Sequence, residues 1–282
     1  MALKDLLVHI DDGEVGAERM AAAVALAKRA GARVVGVAFA LEAGMSSYVG
    51  IDLPSGLSDA ERDVMERAAQ SARGKLEAIA AAEGVPCAAE VVRCAAMAAP
   101  DRLAFLARHV DMSFLGQPRG DQPAGTLEEA LLERVLLDSG RPVYVMPYIG
   151  RQPQQRRKAV IAWDGGPKAA RAVKDALPVL QGRGGDTVVL VVNPGERDGR
   201  HGGDPGADVA AYLGRHDVPA TVSVQVSREL NPDTILLNFL AENGADLLVM
   251  GAYGHSRWRE KAFGGVTETL LHQMTTPVLM SA

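Results

Sequence analysis

Four glycines in the second half of the chain have the spacing of a phosphate cradle: Gly251-x2-Gly254-x9-Gly264-Gly265, followed by Val266 and Thr267. Backbone amides that wrap a phosphate must approach its oxygens closely. A Cβ would stand in the way, and some of the φ values such a loop needs are positive. Where the loop runs on into a helix, the amides of the helix N-terminus add partial positive charge. An acidic residue, Asp164, precedes Gly165 and Gly166 earlier in the same half. His255, Ser256, Arg257, Arg259 and Lys261 lie inside the glycine-spaced segment. Arg257 or Lys261 would screen phosphate charge or stand solvated, and Trp258 suits a packing or interface anchor.

The chain says nearly the same thing twice. Lys4-Asp-Leu-Leu-Val-His-Ile-Asp11-Asp-Gly13 is echoed by Arg157-Lys-Ala-Val-Ile-Ala-Trp-Asp164-Gly-Gly166, and Val110–Gly116 by Ala245–Gly251. From Gly116 to Pro142 and from Gly251 to Pro277 the distance is 26 residues in both cases, so this stretch aligns without a gap. Gly254, Gly264 and Gly265 then fall opposite Arg119, Glu129 and Ala130. The first copy has lost three of four glycines, and Glu129 puts a carboxylate where a phosphate would lie. The copies share a fold but not a phosphate loop. At the end of its strand Asp11 reads as a turn former.

The elements that must position these residues follow from patterning. Short apolar runs at 6–10, 33–39, 88–92, 112–115 and 142–146 alternate with helical segments at 17–29, 59–83, 100–108 and 127–137. The second half repeats the order, with strands at 159–163, 187–192, 221–226, 247–250 and 278–280 and helices near 168–180, 208–215, 233–242 and 267–274. Residues 41–58 and 199–206 read as loops. Alternation of this kind implies parallel strands joined by right-handed crossovers. Continuously apolar strands imply a sheet covered on both faces. The expected fold is α/β: two tandem five-stranded, parallel, doubly wound sheets, in domains 1–150 and 156–282. Ligands of such sheets sit outside the carboxyl ends of the strands, where the strand order reverses. Asp164 and Gly251 end the first and fourth strands of their half, so neighbouring strands would bring them to one crevice.

Composition narrows the function. Net charge is −5 and pI about 5.7, against broad binding to nucleic acid or anionic membrane. No apolar run approaches the roughly 20 residues of a membrane span, and no signal-peptide pattern is seen at the start, so a cytoplasmic protein is expected. Cys87 and Cys94 form no CxxC pair, and the six histidines are scattered, so no metal site is expected. Neither a nucleophile elbow nor a dinucleotide fingerprint is present.

These residues resemble the universal stress protein family in its tandem two-domain form. Nucleotide-binding members carry a G-2x-G-9x-G-(S/T) loop after the fourth strand and an acidic residue after the first. Gly251, Gly254 and Gly264 match in type and spacing and Asp164 matches the acid, while Gly265 stands in place of the Ser or Thr. The resemblance implies strand order 3-2-1-4-5, an adenine-nucleotide-binding-like fold, and ATP or AMP as ligand, with or without magnesium. The implied binding residues are Asp164, Val192, Gly251, Gly254, Gly264, Gly265, Val266 and Thr267. Asp164 would contact ribose or adenine, or else only form its turn. Val192 would border adenine, and Thr267 would supply the hydroxyl that Gly265 lacks. The implied role is regulatory, in the stress response, with little or no turnover beyond a weak ATPase. The last strands of two domains would pair, within the chain or in a homodimer. A nucleotide-independent interaction scaffold with unknown protein partners is the alternative.

Overall fold

The computed structural model describes residues 2–42, 55–118, 126–149, 158–196, 204–252 and 265–282. The chain divides into two compact units. The first is Met1–Gly116 with Ala124–Arg141, and the second is Gln117–Pro123 with Pro142–Ala282.

In the first unit the order is β1 (Asp5–His9), α1 (Glu14–Ala30), β2 (Arg33–Glu42), α2 (Ser55–Glu83), β3 (Cys87–Ala95), α3 (Ala99–Ala107), β4 (Met112–Gly116) and α4 (Leu127–Asp138). All strands are parallel and ordered β3-β2-β1-β4. Central strands β1 and β4 are apolar along almost their whole length because helices cover both faces; Leu6, Leu7, Val8, Met112 and Phe114 are all fully buried. Edge strand β3 mixes half-buried and exposed positions instead, with Glu90 and Arg93 exposed. Helix α1 starts earlier than its apolar periodicity suggests, at Glu14, because the turn at Gly13 sets its first residue; it stops at Gly31, whose φ is 65°. Helix α2 begins at Ser55, so residues 55–58 are helical where a loop was expected; 43–54 lie outside the described residues.

The second unit contains β5 (Val143–Met146), β6 (Lys158–Ala162), α5 (Pro167–Leu180), β7 (Asp186–Val192), α6 (Ala207–Arg215), β8 (Ala220–Gln225), α7 (Pro232–Asn243), β9 (Leu247–Gly251), α8 (Gly265–Gln273) and β10 (Val278–Ser281). Its sheet runs β8-β7-β6-β9-β10, the expected 3-2-1-4-5 order, and β5 is added beside β10. That last pairing is antiparallel, Val278 opposite Val145 and Met280 opposite Val143, so the last strands of the two sequence halves pair within this unit. Gln117 secures β5: its amide donates to the Met146 carbonyl at 2.8 Å, and its Oε1 accepts the Tyr148 amide at 3.1 Å. Val160, Ile161, Val189, Val191, Leu248 and Val249 form the aliphatic centre of the sheet. No described helix is long and apolar enough to cross a membrane.

Candidate functional site

Strands β6 and β9 are parallel neighbours, with Ala162 beside Met250, and Gly251 is the last residue of β9. The chain leaves β6 through Trp163, whose amide donates to the Leu190 carbonyl at 2.9 Å, and then turns at Asp164. Asp164 Oδ1 accepts the Gly166 amide at 2.9 Å, Gly165 adopts a φ of 70°, and Pro167 opens α5 with its preset φ. The sequence therefore brings Asp164 and Gly251 to adjoining strand ends at the point where strand order reverses, as expected of a doubly wound sheet. Asp11 makes the same turn in the first unit, its Oδ1 accepting the Gly13 amide at 2.9 Å. The turn role is thus common to both halves.

Val192 closes β7, the strand on the other side of β6, in register with Gln225 of β8. Next to it stands Asn193, which sequence reasoning passed over. It is nearly buried with a φ of 48°, and its side chain accepts the Ser227 amide at 2.9 Å, joining the ends of β7 and β8. Gly265, Val266 and Thr267 form the first turn of α8, and the Thr267 side chain is buried, only 3% exposed. Gly254, Gly264 and the segment His255–Lys261 lie outside the described residues, as does Arg119. Glu129 lies in the first turn of α4, whose N-cap Thr126 accepts the Glu129 amide at 3.3 Å. Together with Glu128 it gives that turn two carboxylates, a poor setting for an added anion.

Gly251 has a second reason to be glycine. A Cβ there would lie 2.6 Å from the Ala169 amide nitrogen and 2.6 Å from the Lys168 carbonyl carbon, so the first turn of α5 rests directly on the end of β9. The same contact places Lys168 at the crevice. Burial holds its ammonium pKa below the ordinary lysine value. The sequence held a signal for it: a Lys just after the Pro that starts the helix following Asp164. Cys87 and Cys94 stand as free thiols on β3, and burial pushes both upward in pKa. Among the described residues no cluster of three or more His, Cys, Asp or Glu could hold a metal ion.

Residues 155–281 match the model of the Universal stress protein family, so the chain carries a domain of that family. A curated relative, a universal stress protein of Synechocystis, is 29% identical over 156 residues, covering 53% of this chain and 50% of that protein. The chain thus spans about half the length of the curated relative it matches. Among solved structures, a universal stress protein from Archaeoglobus fulgidus is 19% identical, with 98% of this chain and 97% of that chain covered and a TM-score of 0.69. A functionally unknown protein from Pseudomonas aeruginosa is 12% identical, with 99% and 92% covered and a TM-score of 0.59. At these identities the structures speak for the fold.

Proposed function

We propose that the second unit binds an adenine nucleotide, ATP or AMP, with or without magnesium, and that the protein acts as a cytoplasmic stress-response regulator with little or no turnover. The observation that carries this reading is the meeting of Asp164 and Gly251 at the neighbouring ends of β6 and β9, where the strand order reverses. An anion is the ligand that the amides of α8's first turn favour. Asp164 would face the ribose, Val192 the adenine, and Gly251, Gly254, Gly264, Gly265 and Val266 the phosphates; Lys168 would offset phosphate charge. Thr267, being buried, would hold the first turn of α8 rather than reach far outward. The tandem organisation, in domains 1–150 and 156–282, leaves the first half as scaffold, with further association into a homodimer.

Calorimetric titration with ATP and magnesium tests this. One site per chain with micromolar or tighter affinity is expected, lost in Gly254→Glu; a fold-intact variant with unaltered affinity would falsify the assignment. The second reading, a nucleotide-independent interaction scaffold, draws on Gly251, which packing against α5 explains without any ligand. Absence of binding by the folded wild-type protein would select it.

A further inference from the structure

The crevice of the first unit already has an occupant. Arg19 of α1 lies 153 positions before Ala172 of α5, as Asp11 does before Asp164. Where α5 rests its backbone on Gly251, α1 interposes the Arg19 side chain, which is buried to 3% exposure. Its Nε donates to the His9 carbonyl at 2.7 Å, at the end of β1. Its Nη2 pairs with the Asp11 carboxylate. Its Nη1 lies so near Gly116, the last residue of β4, that a Cβ there would stand 2.6 Å away. One planar guanidinium therefore engages both strand ends that flank the switch point. His9 completes the seat: its ring lies tilted against Phe39, centroids 5.8 Å apart, and its pKa is lowered to about 3, first by burial and then by the charge of Arg19, so it brings no competing cation.

We propose that Arg19 is the resident ligand of the first unit's switch point, and that Asp11, the His9 carbonyl and the glycine surface at Gly116 form a seat specific for a guanidinium group. A rigid fork of donors matches a carboxylate and a carbonyl set side by side, which a lysine ammonium would not. The unit is held by its own side chain at the place where, on the function proposed above, the second unit would take an external ligand. The seat is acidic and carbonyl-lined, so once vacated it takes a cation and not a phosphate.

The test uses Arg19→Ala with methylguanidinium as probe. The variant is expected to melt roughly 4–8 °C below wild type, since it loses a buried charged hydrogen bond and its packing. Millimolar methylguanidinium should restore part of that loss in Arg19→Ala, titrate to one site, and do neither in wild type or in the Arg19→Ala/Asp11→Asn double variant. Equal melting of Arg19→Ala and wild type, or an identical probe effect on both, overturns the proposal. Should Arg19→Ala not fold, the wild-type protein still decides. Arg19 Nε–H, followed by nitrogen-15 NMR, should exchange with water at least tenfold more slowly than in Asp11→Asn; exchange as fast as in exposed arginines would overturn it. Neither readout involves a nucleotide, so its failure is distinct from failure of the nucleotide reading.

Discussion

Replacing Gly251 by alanine separates a packing role from a ligand role. The added Cβ would meet the Ala169 amide nitrogen and the Lys168 carbonyl carbon at 2.6 Å and Lys168 Cβ at 2.9 Å, where ordinary contact begins near 3.4 Å. The overlap is about 0.8 Å against backbone, which cannot rotate aside, so α5 or the end of β9 must shift. Both are pinned, β9 by its ladders to β6 and β10 and α5 by buried Ala169, Ala172 and Ala176. Overpacking of a tight core costs about 1–3 kcal/mol, and the upper part of that range, about 2–3 kcal/mol, applies here. For units of this size that is a fall in melting temperature of roughly 5–10 °C. Gly116→Ala is the matched control. Its Cβ would lie 2.6 Å from Arg19 Nη1, the tip of a side chain, with the next atom at 3.7 Å, and the expected cost is smaller, about 1 kcal/mol. Urea unfolding followed by circular dichroism, with ATP titration on the same samples, provides the readout. A Gly251→Ala midpoint at or above that of Gly116→Ala would refute the packing argument. A loss of ATP affinity with stability unchanged would assign the glycine to the ligand instead.

Two further predictions concern charges. His9 stays neutral in the folded state down to about pH 3, while the unfolded chain takes up its proton near 6.5. Above pH 6.5 it contributes nothing; as pH falls from 6.5 toward 3 the unfolded state binds the extra proton and stability is lost, by about 1.4 kcal/mol per pH unit. Between pH 7 and pH 5 wild type should therefore lose about 2 kcal/mol more than His9→Gln, and parallel pH curves for the two would rule this out. Arg183 and Asp246 form an ion pair with both side chains only 13% and 12% exposed. Arg183→Ala should cost about 3 kcal/mol by leaving a carboxylate in a dry site, while the double variant Arg183→Met/Asp246→Leu should cost distinctly less. Equal losses in a denaturant melt would mean that the charge pair is not what holds that corner.

What the sequence revealed and what it concealed divide along the range of the interactions. Alternating strands and helices and the meeting of Asp164 with Gly251 at neighbouring strand ends rest on local periodicity and topology rules, and they were legible; the 3-2-1-4-5 order came from the family resemblance. The start of α2 at Ser55 was not: Ser55-Gly-Leu-Ser58 is poor in helix formers and belongs to a helix only because the 25 residues after it carry the apolar face. The antiparallel seat of β5 beside β10, supported by Gln117, depends on residues more than a hundred positions apart. Arg19 was passed over because a charged residue among alanines reads as the solvated side of α1; its burial is decided by two nearby acceptors, the His9 carbonyl and the Asp11 carboxylate, and by the approach of Gly116 from β4.

Gly116 and Gly251 make the same point about inference from matching letters. They align, both end the fourth strand of their half, and a phosphate loop would ask for glycine at either. Yet the structure gives each its own steric cause. One yields room to a guanidinium from α1 and the other to the backbone of α5. A side chain at that position is therefore crowded by the packing of each half before any ligand is considered, more severely in the second. The discriminating residues are the ones around it. In the first half Arg19 and Asp11 neutralise each other and close the switch point from within. In the second, Ala172 takes the place of the arginine, and the backbone and Cβ of Lys168 rest on Gly251 instead. The halves thus differ in what packs on that glycine: a guanidinium side chain in the first and the backbone of a helix in the second.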